Sequence, residues 1–237
     1  MKVFDYNIID STFAEAGCKT PQLGEGQYLF LAVGQSLGRG QGDHSFLSPA
    51  GNGIYATLLV KGCDISPGHA RLLTPLSAVC ATEVLRKVTG FGDRLSVKWV
   101  NDLLIDGYKY GGILSSAVTE NGRITSFRIG FGINTGNADI SGMIGQKAAS
   151  LNLTDGTDIR AIAIEIAELI VSEAIHPDAD SIFRSYAKIC HMEGKKVILP
   201  DGSICRCESI DPDFFLLVRD ENGSVHRISG TTGLIFV

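Results

Sequence analysis

Lys98 and Lys109 stand eleven residues apart, with Asn101, Asp102 and the chain's only tryptophan, Trp99, between them, in the stretch SVKWVNDLLIDGYKYGGIL from Ser96 to Leu114. In a strand, Lys98 faces the side opposite to Trp99, and the polar pair Asn101-Asp102 marks the strand's end. Asn and Asp there can simply close a turn. Lys109 restarts an apolar run beside Gly111 and Gly112; it is either an edge-strand gatekeeper or a cation held over a site, and spacing alone favours the gatekeeper. A second candidate is the glycine-rich loop Gln35-Ser36-Leu37-Gly38-Arg39-Gly40-Gln41-Gly42-Asp43, followed by His44 to Pro49. Glycines let backbone N–H groups approach an anion, and a guanidinium among them can fork onto a phosphate or carboxylate; a mobile surface loop with a solvated arginine is the plainer alternative. A third polar element is GFGIN, Gly130 to Asn134.

The elements that must position these residues are a mixture of strands and helices. YLFLAV and GIYATLLV read as strands, so the glycine loop joins two strands and matches neither the dinucleotide fingerprint nor the phosphate-binding loop, both of which lead into a helix. TPLSAVCATEVLRKVTG reads as a helix from Thr74 to Gly90. YGGILSSAVTE and RITSFRIGFGIN flank Asn121-Gly122, a strong hairpin signal. DIRAIAIEIAELIVSEAI predicts a helix with Ile162, Ile166, Leu169 and Ile170 on one face and Glu165, Glu168 and Glu173 on its wet side. A short helix follows in SIFRSYAKIC. From about Gly194 the pattern changes to short strands broken by turns at Pro200-Asp201-Gly202 and Glu221-Asn222-Gly223, which predicts a small antiparallel barrel packed on the main domain.

Composition excludes several classes. A chain of 237 residues with 44% hydrophobic content holds one large core, or a main domain with a small satellite. No apolar run reaches the length of a membrane span, and MKVFDYNIID lacks the pattern of a signal peptide, so a cytoplasmic protein without membrane contact is expected. A net charge of −5 with no basic cluster argues against DNA. The six cysteines show no framework spacing, which suggests free thiols; Cys205 and Cys207, alternating in a strand, point to one face for packing rather than for zinc. His69, His176, His191 and His226 show no metal spacing, whereas His44 lies within the glycine loop.

In this order and at these intervals, Asp10-Ser11-Thr12, the glycine–arginine loop, Ser48-Pro49, Lys98-Trp99-Val100-Asn101-Asp102, Lys109 with Gly112-Ile113-Leu114, and Gly130 to Asn134 resemble the biotin protein ligases (biotin–[acetyl-CoA-carboxylase] ligases). The resemblance covers nearly the whole chain and implies an α+β fold: a mixed sheet with helices on one face, the class II synthetase-like biotin/lipoate ligase fold, over residues 1–190, and a small SH3-like β-barrel over 191–237. It also implies the monofunctional type, without a DNA-binding domain. Such enzymes take ATP and biotin as substrates with Mg2+, form biotinyl-5'-AMP, and pass the biotinyl group to a lysine of the biotin carboxyl carrier domain of a carboxylase. Family members use exposed edge strands both for the carrier and for self-association, so a homodimer is among the expected partners.

By that resemblance Lys109 is the main catalytic lysine, with Arg39 and Lys98 as further cations. Ser11, Thr12, Gln35, Gly38, Arg39, Lys109, Gly111 and Gly112 lie along biotin. Arg39, Gly40, Gln41, Lys98, Trp99, Asn101, Asp102, Ile133 and Asn134 serve ATP, with Asp102 on magnesium. The chain departs from the family pattern in the loop, where Gln41 replaces a cation, Asp43 a glycine and His44 another basic residue, so a weaker electrostatic clasp would let the adenylate leak. Phe13 stands in place of Asn and Val100 in place of Pro. Rival readings are a lipoate or octanoyl ligase of the same fold, whose R-R-x-S-G-G-G loop is absent, a biotin-binding sensor that does not transfer, and a plain mixed domain with a glycine-rich surface loop.

Overall fold

The computed structural model describes residues 1–42, 44–144, 148–231 and 233–236, the side chain of Ile144 excepted. In chain order the regular elements are β1 (Lys2–Ile9), α1 (Thr12–Lys19), β2 (Gly26–Gln35), β3 (Gly53–Ile65), α2 (Leu73–Thr89), β4 (Leu95–Lys98), β5 (Asp102–Ile105), β6 (Tyr108–Glu120), β7 (Arg123–Asn134), α3 (Ile140–Ile144), α4 (Ile159–Ile175), α5 (Ala179–Ile189), β8 (Lys196–Ile198), β9 (Ile204–Ile210), β10 (Leu216–Asp220), β11 (Val225–Ile228) and β12 (Ile235–Phe236). Seven strands form one mixed sheet in the order β1-β2-β3-β7-β6-β5-β4, and five form an antiparallel sheet in the order β11-β10-β9-β8-β12. No helix is long and apolar enough to cross a membrane among the described residues.

The central strands β3 and β7 pair antiparallel from Gly53↔Asn134 to Lys61↔Ser126. Their alternation sends Ile54, Ala56, Leu58 and Val60, with Phe127, Ile129, Phe131 and Ile133, to one face, where α2 and α4 cover them, and α5, packed on α2 and β4, extends the same core. Burial of that apolar area is the main force holding helices to sheet. The predicted periodicity of α4 appears as buried Ile162, Ile166 and Ile170, with Glu165, Glu168 and Glu173 exposed. At α2 the helix ends where Gly90 takes a left-handed conformation, φ 68, and its N–H bonds Arg86 O. Asn121 and Gly122, at φ 51 and 74, close the β6–β7 hairpin with Glu120 opposite Arg123.

The longer helices α2, α4 and α5 share one core, whereas α1 lies apart from them. This eight-residue helix packs Ala16 with Phe30 and Leu59 on the opposite face. Neither α1 nor β1 stands out in the sequence. In α1 a glycine interrupts a short segment, and the reason is tertiary: a side chain at Gly17 would run into the guanidinium of Arg128 on β7. In β1 the burial is mixed rather than alternating, because the strand pairs only with β2, in parallel, at the sheet edge.

The five-stranded sheet joins the same core through Val197, Leu199, Cys205, Cys207, Leu216 and Val218. Cys205 and Cys207 do share its inner face, and all six cysteines are free thiols. Phe214, buried at φ 64, stands edge-on to Phe183 and Tyr186, and its carbonyl accepts the Trp99 Nε1 proton at 2.8 Å. Arg71 pairs with Asp213 at 2.6 Å beside it. The strand end at Lys98 to Asp102 is therefore braced from behind by the second sheet.

Candidate active site

The face of the large sheet opposite to α2 and α4 carries a cavity of about 510 Å³. Its floor comes from Thr57 of β3, Gly112 and Leu114 of β6, and Gly130 and Gly132 of β7. Small residues at these positions leave room above the sheet, and two aromatic rings partly use it. Phe46 stands over Gly132, where an added Cβ would meet the ring at 2.6 Å, and Phe13 stands over Gly130 at 3.0 Å.

One end of the cavity is cationic. Lys109 Nζ lies 2.5 Å from Asp102 Oδ1, and Lys98 Nζ lies 4.0 Å from Asp102 Oδ2, so one carboxylate sits between two ammonium groups. Lys98 reaches the cavity from the end of β4, while the Trp99 ring, 2% exposed, packs in the core with its N–H on the Phe214 carbonyl even though the residue also borders the cavity. The pKa of Lys98 is lowered, first by burial; Asp102 opposes the shift, and Lys109 and Lys195 add to it. Asn101 exchanges bonds with Ile113, its side-chain amide donating to Ile113 O at 2.9 Å and its carbonyl accepting from Ile113 N at 2.9 Å, which fixes the turn between β4 and β5.

Lys109 reaches the cavity because of a bulge. Gly112 and Leu114 line the cavity, so strict alternation back along β6 would turn Tyr110 toward it and Lys109 away. The register shifts between Leu103 and Leu104, which pair with Gly111 and Lys109, leaving Tyr110 as the extra residue. Tyr110 is thereby fully buried on the helix side and Lys109 lies across Gly112, whose added Cβ would sit 3.7 Å from Nζ. The gatekeeper alternative for Lys109 is set aside, since β6 is an inner strand paired on both sides.

The other end is neutral and built of hydroxyls and an amide. Gln35 Oε1 accepts from Thr12 N at 2.8 Å and Thr12 Oγ1 at 3.1 Å; Gln35 Nε2 donates to Ser48 Oγ at 2.8 Å, and Ser48 Oγ donates to Phe46 O at 3.0 Å. Thr12 Oγ1 also meets Thr57 Oγ1 at 2.9 Å. Ser11 caps α1, its Oγ accepting from Ala14 N at 3.4 Å. Uncharged groups of this kind orient a polar, uncharged ligand by matched donors and acceptors.

Over the cavity the glycine loop folds as a small hairpin. Phe46 N donates to Gly38 O at 2.8 Å, Arg39 bridges Ser45, and Gly40 N donates to His44 O at 2.7 Å, with Gly42 at φ 61 in the tip. Gly38 is required at the base, since a side chain there would strike Phe46 O. Arg39, Gly40, Gln41 and His44 line the cavity from this hairpin. Asp43 lies outside the described residues.

Of the residues singled out in the sequence, Ser11, Thr12, Gln35, Arg39, Gly40, Gln41, Lys98, Trp99, Asn101, Asp102, Lys109 and Gly112 line this one cavity. Gly38, Gly111, Ile133 and Asn134 do not. The Ile133 side chain is fully buried on the helix side, because it lies one residue out of phase with Gly132. Asn134 is 4% exposed; its Nδ2 donates to Ala149 O at 3.1 Å, and its Oδ1 is buried with no hydrogen-bond partner. Sequence reasoning missed Phe46, Tyr55, Thr57, Leu114, Thr231, Leu234 and Phe236. Thr57 had a signal, being the one hydroxyl within the apolar run GIYATLLV beyond its tyrosine.

Among the described residues the cavity lining holds three basic side chains of lysine or arginine, Arg39, Lys98 and Lys109, and one carboxylate, Asp102. A positive end joined to a neutral polar end suits a ligand pair with phosphates at one side and an uncharged head at the other.

Comparison with known proteins places the chain in a family. Residues 8–134 match the model of the biotin/lipoate A/B protein ligase family. Over 135 residues the chain is 33% identical to a biotin–[acetyl-CoA-carboxylase] ligase of Paracoccus denitrificans, covering 57% of this chain and 55% of that protein. It is 34% identical over 133 residues to the bifunctional ligase/repressor BirA of Bacillus spizizenii, covering 55% of this chain and 40% of that one. The chain thus spans about half or less of the length of these curated relatives. In three dimensions it resembles the biotin protein ligase of Aquifex aeolicus in complex with biotin and ATP, with TM-score 0.76, 19% identity, and coverage of 100% of this chain and 99% of that one. This likeness shows the fold.

Proposed function

The chain belongs to the biotin/lipoate A/B protein ligase family, and from that premise we propose that it activates biotin with ATP and transfers the biotinyl group to a lysine of a biotin carboxyl carrier domain. The observation that carries the proposal is the Lys98–Asp102–Lys109 triangle opening on the same cavity as the neutral Thr12–Gln35–Thr57 cluster. Residues 1–190 then form the catalytic unit, and 191–237 the small sheet that completes its cavity.

In the first step an oxygen of the biotin carboxylate attacks the α-phosphorus of ATP, the α–β phosphoanhydride bond breaks, and pyrophosphate leaves with the bonding electrons. Two anions must meet while charge builds on the phosphoryl oxygens. Lys109, Lys98 and Arg39 supply fixed positive charge there, a preorganised arrangement in which one such group is worth about 10²–10³ in rate. Asn101 keeps the β4–β5 turn in place through its two bonds to Ile113. In the second step the carrier lysine, as a free amine, attacks the acyl carbon; AMP leaves, and the amine's proton passes to water.

Magnesium suits the donor set in one way. Asp102 is the one carboxylate lining the cavity among the described residues, and no group of three His, Cys, Asp or Glu residues is placed to hold a metal there. That is the donor set of a Mg2+ that enters with a nucleotide, keeping most of its ligands as phosphate oxygens and water. When bound, the ion neutralises phosphate charge.

The test is a mass-shift assay with purified protein, MgATP and a biotin carboxyl carrier domain, run with biotin, with lipoate, and with Lys109→Ala. The expected result is a biotinyl adduct on the carrier that is absent with lipoate and lost in the variant. Lipoylation instead would replace the proposal with the lipoate-type ligase, and heat stabilisation by biotin without any adduct would replace it with the sensor.

A further inference from the structure

The five-stranded sheet also reaches the cavity, through Thr231 and Phe236, on the side away from the contacts that brace the strand end from behind. Docking is done behind the site, by Trp99 on the Phe214 carbonyl, by the Phe183, Phe214 and Tyr186 rings, and by Arg71 with Asp213. On the cavity side, Thr231 Oγ1 donates to Gln41 Oε1 at 2.8 Å, joining residues 190 apart. Phe236 turns its ring to Lys98 Nζ, 4.4 Å from the centroid. Thr231, Leu234 and Phe236 all line the cavity.

Gln41 stands at the tip of the 38–46 hairpin, where its own carbonyl accepts from His44 N at 3.3 Å. Its side chain is uncharged, so Coulomb attraction cannot draw this residue down over the cavity. A directional hydrogen bond to the second sheet holds it instead. The ring of Phe236 meanwhile presents its negative face to an ammonium that burial disfavours, which keeps Lys98 aimed into the cavity.

We propose that Thr231 and Phe236 are positioning residues of the site: Thr231 latches the hairpin tip shut through Gln41, and Phe236 holds Lys98 in place from the same sheet. This rests on the ligase reading, under which the latched hairpin keeps water from a reactive acyl adenylate. Because the latch is neutral, it differs from a charged clasp in one measurable way: its own contribution to retention of the adenylate does not depend on ionic strength.

The experiment uses the full chain with Thr231→Val, which keeps the shape and removes the donor, and Thr231→Ser, which restores the hydroxyl. Without any substrate, tryptic cleavage after Arg39 is followed by mass. The expected rate is about fivefold faster in Thr231→Val, the population change worth one neutral hydrogen bond, and close to that of the original chain in Thr231→Ser. With biotin and MgATP, free biotinyl-AMP per pyrophosphate released should rise in Thr231→Val by a similar factor, equally at about 0.05 and 0.5 M salt. Equal cleavage rates in Thr231→Val and the unsubstituted chain, with near-ultraviolet circular dichroism showing both folded, overturn the latch. Should Thr231→Val fail to fold, Gln41→Met removes the acceptor from the other side and is read the same way. Failure of the unsubstituted chain to release pyrophosphate would defeat the ligase reading instead, and the cleavage rates would still decide the latch.

Discussion

Strands β3 and β7 show two different faces to their surroundings. Toward the helices they present Ile54, Ala56 and Leu58 with Ile129, Phe131 and Ile133, all at most 2% exposed. Toward the cavity they present Tyr55 and Thr57 with Gly130 and Gly132. The first face is filled to the density of a protein interior, where any lost methylene is felt. The second is kept open by small residues and furnished with groups that interact over longer range. One strand pair thus serves stability on one side and chemistry on the other, and substitutions should separate the two.

The strongest separation is expected from Lys109→Ala. Pyrophosphate release with biotin and MgATP should fall by about 10²–10³, with the thermal midpoint little changed, since this lysine is part-exposed and its loss opens no core cavity. A collapse in stability of the same variant would erase the distinction between the faces. Leu58→Ala, on the helix side, should do the reverse: it should cost about 2–5 kcal/mol by urea titration, while the protein that remains folded keeps its substrate KM values. A raised KM for biotin there would mean that the floor of the cavity moves with the core.

The two faces were not equally legible in the sequence. Helix-side residues declare themselves by periodicity: Ile162, Ile166 and Ile170 share a face in the letters and in the fold. The charged end of the cavity was legible through Lys98, Asn101, Asp102 and Lys109, but the reason Lys109 points inward was not. Strict alternation turns it away, and only the bulge at Tyr110, a matter of pairing between β5 and β6, turns it back. α1 was hidden because its glycine answers to Arg128, more than a hundred residues away. Thr231 and Phe236 were hidden for the same reason, since a single chain carries no local mark of a contact such as that between Gln41 and Thr231.

Smaller effects sharpen the comparison within the cavity itself. Thr57→Val removes one partner of Thr12 Oγ1 and leaves the Gln35 bond, so KM for biotin should rise by about fivefold, the value of one hydrogen bond at about 1 kcal/mol. Steady-state titration with biotin measures it, and an unchanged KM would remove Thr57 from the neutral end of the site.

The smallest effect concerns protons on Lys98. Burial lowers its pKa below the ordinary 10.5, with Asp102 opposing and Lys109 and Lys195 assisting. Under the proposed chemistry the first step uses the charged form, so its rate should fall as pH rises through that lowered pKa. Arginine remains charged throughout, so Lys98→Arg should carry the basic limb of the pyrophosphate-release profile to higher pH even where the plateau drops through poorer fit. The same shift acts on folding with a definite sign. Between the lowered pKa and 10.5 the unfolded chain binds the proton more tightly than the folded one, so stability gained from relieving Lys98 grows with pH across that window. Lys98→Met should flatten the rise in urea midpoint there. If the slope survives the substitution, the buried cation responsible lies elsewhere, and the chemical face of the sheet carries less strain than its charges imply.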